Sequence, residues 1–141
     1  MLKGIDPLLS GDLLKVLDDM GHGDELVICD SNFPAYSTGR PIIRLGEVSS
    51  TRAVEAVLSV FPLDTFVPHP LGRMEVDSDP SRTTTRSADV LAAAIAAEGR
   101  ELEIAAIPRH DFYARAAKAY AVIHTLESEG YNNFILTKGV V

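Results

Sequence analysis

The sequence predicts an α/β fold, a single domain over residues 1–141 with an open, largely parallel sheet and helices packed on both faces. Three observations carry this expectation. Short apolar, β-branched runs alternate with stripes at helical spacing along the whole chain. The 141 residues suffice for one core and not for two. No internal repeat, low-complexity tract or linker breaks the pattern.

Leu9, Leu13, Val16, Leu17 and Met20 form the apolar stripe of a helix over 10–20, with Ser10 as N-cap and Gly21 in the left-handed position beyond its end. Glu25–Cys29 is a β-branched run without helical period, a buried strand that the turn residues Asp30-Ser-Asn-Phe-Pro34 close. Residues 35–48 form an irregular connection in which only Ile42–Leu45 is strand-like. Val54, Val57, Leu58 and Phe61 mark a helix over 50–60 that Pro62 stops.

Asp64–Val67 is a short strand candidate, and residues 68–86, rich in Pro, Ser and Asp, are the best candidate for a mobile flap. Val90, Leu91, Ala94 and Ile95 define a helix over 87–98 ending at Gly99. Leu102–Ile107 is a strand closed by Pro108, 111–119 a short alanine-rich helix, Tyr120–Thr125 a strand and Phe134–Thr137 the last one. Sheets of this kind bind ligands beyond the carboxyl ends of their strands, which directs attention to the loops after Cys29, after Ile107 and before Phe134.

Composition excludes several function classes. Thirteen Lys+Arg against twenty Asp+Glu give a net charge of −7, without the basic stripe that nucleic acid selects. Trp is absent and aromatics are 6%, which also disfavours base-stacking platforms. One cysteine, Cys29, rules out an intrachain disulfide and a Cys-rich metal site, and it points to a reducing compartment. The N-terminal Met1-Leu-Lys-Gly-Ile-Asp lacks a basic segment followed by a long apolar run, so no signal peptide is expected. No apolar run reaches the roughly 20 residues that cross a bilayer. The expectation is a cytoplasmic protein with neither nucleic-acid nor membrane partners.

No pair among His22, His69, His110 and His124 has metal-ligand spacing, so no metal site is expected. His124 alternates with Ile123 on a strand and reads as structural, while His69 and His110 fall in loops as solvated side chains. His22 stands apart, between Gly21 and Gly23 in a tight helix-to-strand turn. The same tripeptide also serves as a plain helix C-cap, and the two readings stand level. Phosphate-cradling glycine motifs and a nucleophile elbow are missing, and Cys29 lies inside a strand. The remaining equipment is an imidazole with carboxylate, guanidinium, phenol and amides, suited to non-covalent proton transfer on a polar, uncharged substrate. One difficulty is geometric. A five-residue strand rising about 3.3 Å per residue holds His22 and Asp30 at opposite ends, unless loops fold back or two chains contribute.

Gly21-His-Gly-Asp-Glu25, Asp30-Ser-Asn-Phe-Pro34, Arg109 with Phe112-Tyr113, Tyr131-Asn-Asn133 and Lys138-Gly139-Val140 occur in this order behind Met1-Leu-Lys-Gly-Ile. Together they resemble the family of L-fucose mutarotase and D-ribose pyranase, from the first residue to the last. The resemblance implies an RbsD-like α/β fold and a cytoplasmic, cofactor-free isomerase interconverting the ring forms of a monosaccharide, fucose-type before ribose-type. It implies His22 as proton donor, Asp30 and Arg109 as sugar ligands, and Tyr131, Asn132 and Asn133 as the wall that completes the pocket. It also implies a homo-oligomer, a ring of ten with sites near subunit contacts. Two departures stand out: Pro68–Met74 replaces an apolar segment, which makes His69 or Arg73 a further candidate for substrate contact, and Asn132 replaces a small residue. The rival expectation is a non-catalytic monosaccharide-binding or sugar-transport accessory protein, which would keep Asp30, Arg109 and Tyr131 without needing a titrating His22.

Overall fold

The computed structural model describes residues 1–141. Helices α1 (Gly11–Asp19), α2 (Ser50–Leu58), α3 (Thr85–Glu98) and α4 (Arg109–Ala116) alternate with strands β1 (Glu25–Cys29), β2 (Ile42–Gly46), β3 (Leu71–Met74), β4 (Ala105–Ile107), β5 (Ala121–Thr125) and β6 (Phe134–Thr137). The strands form one sheet in the order β2-β5-β1-β6-β3-β4. β6 runs antiparallel to both of its neighbours, and the other three pairings are parallel. The carboxyl ends of β1 to β5 and the amino end of β6 therefore share one edge of the sheet.

Pleating divides the strand residues between two cores. Leu26 and Ile28 of β1 face a cluster of 21 buried residues beneath α1, α2 and α3. Val27 and Cys29 face a second cluster of 11, with Phe33, Met74, Ile107, Phe112 and Ile135 beneath α4. Helices thus cover both faces, as the sequence predicts. Three of them begin on hydroxyl caps: Ser10 accepts from Leu13 N, Ser49 from Arg52 N and Thr84 from Ser87 N, each worth about 1 kcal/mol.

Four expectations need correction. The proposed flap contains β3, whose four residues are all buried between β6 and β4. Leu71-Gly-Arg-Met has weak intrinsic β-propensity, so its strand state comes from its neighbours, and a Cβ on Gly72 would lie 2.5 Å from Ile107 Cδ1 and push that side chain aside. Asp64–Val67 is no strand: Leu63 bridges Lys138, after which the chain turns outward and leaves Phe66 exposed. The left-handed glycine after α1 is Gly23, at φ +86°, and not Gly21. The open carbonyls of Leu17, Asp18 and Met20 instead accept from Lys138 Nζ, a cation at a helix C-terminus. Finally, α4 starts at Arg109, two residues earlier than the apolar pattern indicates, directly behind Pro108.

Residues 63–64 and 138–140 approach so closely that a Cβ on Gly139 would fall 2.6 Å from the Leu63 carbonyl oxygen. Both partners are backbone and cannot swing away. Gly139→Ala is expected to lower the unfolding free energy by about 1–3 kcal/mol, the usual cost of overpacking, measured by urea denaturation.

Candidate active site

The shared sheet edge gathers the loops that follow β1 and β4 and the one that precedes β6. Between them lies a cavity of about 250 Å³ lined by Asp30, Asn32, Phe33, Met74, Arg109, Tyr113, Gly130, Tyr131 and Asn133. Asp30 is its organising residue. Oδ1 accepts from Asn32 N at 2.9 Å and Phe33 N at 3.0 Å, and Oδ2 from Asn132 N at 3.2 Å and Asn133 Nδ2 at 3.1 Å. Its own N–H donates to Asn133 Oδ1 at 2.9 Å. One buried carboxylate thereby ties the loop after β1 to the loop before β6 and holds the cavity open between them. Burial pushes the Asp30 carboxyl above its ordinary range, against the pull of those hydrogen bonds.

Arg109 opens α4 at the cavity rim, exposed, with its guanidinium carbon 5.8 Å from the Tyr113 ring centroid. It enters no ion pair, which leaves its donors free for oxygen-rich ligands. Tyr131, at φ +63°, donates its hydroxyl to Asp77 Oδ1 at 2.7 Å. Asn132 is turned away from the cavity: its Oδ1 accepts from Thr84 Oγ1 and its Nδ2 donates to the Glu129 carbonyl. His69 is exposed beside Glu103, and Arg73 is buried with Nη2 on the Pro80 carbonyl, so neither lines the cavity.

His22 lies elsewhere. It precedes β1, and the five residues of that strand separate it from Asp30 by about 17 Å. It lines a different groove, of about 540 Å³, with Leu14, Leu17, Met20, Val60, Pro62, Lys138, Val140 and Val141. Its Nε2 stands 3.1 Å from Asp64 Oδ1, and its ring meets Phe66 edge-on at 5.1 Å between centroids. Asp64 is buried, and the Phe66 N–H foremost, then the His22 ring, hold its carboxyl below the usual range against the effect of burial. This pairing fixes the imidazole orientation and leaves Nδ1 as the nitrogen available to a substrate.

Asp64 and Asp77 are the residues that sequence reasoning missed. Asp64 Oδ1 accepts from Phe66 N, two residues on, and this Asx turn is the one local signal that could have displaced the strand reading. The opposed carboxyl shifts make a prediction. In a pH titration of the protein carrying ¹³C-labelled aspartate, Asp30 titrates above an ordinary carboxyl, whereas Asp64 and Asp77 titrate below it.

The sequence model of the RbsD / FucU transport protein family matches residues 3–141. The L-fucose mutarotase of Haemophilus influenzae (strain 86-028NP) is 41% identical over 143 residues, covering 99% of this chain and 97% of the relative. A crystal structure of FucU from Bifidobacterium longum is 40% identical with a TM-score of 0.91, covering 99% of each chain. The fucose mutarotase of Streptococcus pneumoniae, solved in complex with L-fucose, is 38% identical with a TM-score of 0.88, again covering 99% of each chain. By sequence and by fold, the chain belongs to the RbsD / FucU transport protein family.

Proposed function

We propose that the protein is a sugar mutarotase of the L-fucose type, an isomerase working by cofactor-free acid–base chemistry in the cytoplasm. The observation that carries this reading is the cavity at the strand ends, where an unpaired Arg109 faces Asp30, Tyr131 and an aromatic wall, in a chain like one solved with L-fucose. Free guanidinium donors and oxygen acceptors match the hydroxyls of a neutral sugar, and ring faces such as that of Tyr113 match its C–H surface.

Mutarotation opens the pyranose. A proton is delivered to the ring oxygen as the anomeric hydroxyl loses one, the bond from C1 to the ring oxygen breaks, and the free aldehyde recloses on its other face with the protons returned. His22 is the donor in this reading, acting through Nδ1 while Asp64 holds Nε2–H and compensates the imidazolium. Arg109 and Asp30 fix hydroxyls at the cavity, and Asn132 and Asn133 hold the wall that carries Tyr131.

His22 and the cavity sit at opposite ends of β1, so the reading requires a second copy of the chain to bring its His22 to the cavity of the first. The groove beside His22 carries the exposed Val60, Val140 and Val141, with Phe66 and Val67 nearby, an apolar rim suited to such a contact. A ring of ten is the assembly that the family likeness implies. Saturation-transfer NMR on L-fucose and D-ribose tests the activity. Accelerated anomer exchange supports it, and sugar binding without faster exchange favours a non-catalytic binding protein. Asp64→Asn is expected to slow exchange on the order of tenfold, a fraction of the 10²–10⁴ that general acid catalysis supplies, as read by the same experiment.

A further inference from the structure

Between β3 and α3 the chain forms a strap over residues 75–84 whose tip meets Tyr131, a residue of the cavity wall. Asp77 and Ser78, at φ +50° and +60°, make a two-residue turn between the bridged Val76 and Asp79, a left-handed pair that aspartate tolerates better than most residues. The strap is anchored at its middle and at its far end. Arg73 Nη2 donates to the Pro80 carbonyl at 2.7 Å, and Thr84 Oγ1 to Asn132 Oδ1 at 2.7 Å. At the tip, Asp77 Oδ2 pairs with Arg82 while Oδ1 accepts from the Tyr131 hydroxyl at 2.7 Å.

A phenol has one hydrogen to donate and lone pairs to accept with. With its hydrogen committed to Asp77, Tyr131 presents only acceptor capacity to whatever fills the cavity it lines. We propose that Asp77 is a positioning residue for the sugar cavity: it takes the Tyr131 hydrogen and so makes that wall select sugars with a donating hydroxyl opposite Tyr131. This rests on the mutarotase reading for its ligand, but the Tyr131–Asp77 bond itself does not. The Tyr131 hydrogen bond foremost, then Arg82, hold the Asp77 carboxyl below its usual range, and Arg109 is the other charge acting on Tyr131. The carboxylate raises the proton affinity of the Tyr131 phenol through that hydrogen bond, and Arg109 acts in the opposite direction.

The test compares wild type, Asp77→Asn, Tyr131→Phe and the double variant, with tyrosine ¹³C-labelled at Cζ. Asparagine has the shape of aspartate and tolerates the same positive φ, so the turn survives while the charge goes. In Asp77→Asn the Tyr131 resonance, assigned by its loss in Tyr131→Phe, titrates at lower alkaline pH than in wild type. Arg82 draws the one amide oxygen of the substituted side chain and turns its NH2 toward the phenol, which releases the Tyr131 hydrogen, and KM for L-fucose in the exchange assay rises about 3–10-fold, with kcat changed by less than KM. In the Tyr131→Phe background, Asp77→Asn adds nothing further, because its effect runs through that phenol.

An unmoved Tyr131 titration overturns the proposal, and so does an Asp77→Asn penalty that persists at full size in the Tyr131→Phe background. Failure of the functional reading looks different: wild type then does not accelerate L-fucose exchange. That result removes the selectivity claim with it, while the sugar-free titration still decides whether Asp77 holds the phenol.

Discussion

His22→Ala is expected to slow L-fucose anomer exchange by about 10²–10⁴-fold, the contribution of a well-placed general acid, with L-fucose still bound at the cavity. The two effects separate because His22 and the cavity residues belong to different places in the chain. His22 lines the groove beside Lys138 and Val140, whereas Arg109, Asp30 and Tyr131 line the cavity at the far edge of the sheet. His22 is half exposed and packs on Phe66 rather than in either core, so the alanine variant folds and its loss is chemical. Saturation-transfer NMR measures exchange, and chemical-shift titration with L-fucose measures binding. Full exchange in the variant removes His22 from the mechanism. Loss of binding together with exchange makes it a sugar ligand and not a proton donor.

The place of the candidate cavity was legible because strand ends are legible, whereas the roles of Asp30, Arg109 and Tyr131 rest on the family resemblance. Leu26–Cys29 reads as a strand since it is buried on both faces, and once its end is known Asp30 must lie at the sheet edge. Arg109 and Tyr131 follow in the same way from Ile107 and Phe134. What could not be read depends on contacts distant in sequence. β3 holds its place through pairing with β6 and β4, which neither Gly72 nor Arg73 announces. Asp64 meets His22 across 42 positions and Asp77 meets Tyr131 across 54. Of the neighbouring Asn132 and Asn133, Asn133 lines the cavity and Asn132 braces Thr84. That division is made around the left-handed backbone at Tyr131, and the two letters do not show it.

Coexpression of two inactive variants makes the strongest test of how the halves meet. His22→Ala keeps an intact cavity, and Arg109→Ala keeps His22, the proton donor of the proposed mechanism. If every site takes its imidazole from one copy and its cavity from another, random mixing of equal amounts gives a working donor on one side half the time and a working cavity on the other half the time. Roughly a quarter of wild-type exchange activity should then return in the mixed assembly, although each variant alone is nearly inactive. Arg109 suits this role because it is exposed and enters no ion pair, so its removal costs the fold little. The span of β1 is what makes recovery the expected outcome, since a five-residue strand does not bend its two ends together. Recovery also fixes the direction of the contact. The apolar rim of Val60, Val140 and Val141 around His22 must then lie against the strand-end edge of a neighbouring copy. A charge at Val140 should consequently abolish exchange and assembly together, read by the same NMR experiment and by sedimentation. No recovery in the mixture would place donor and cavity on one chain and require the loop before β1 to reach the other end of the sheet.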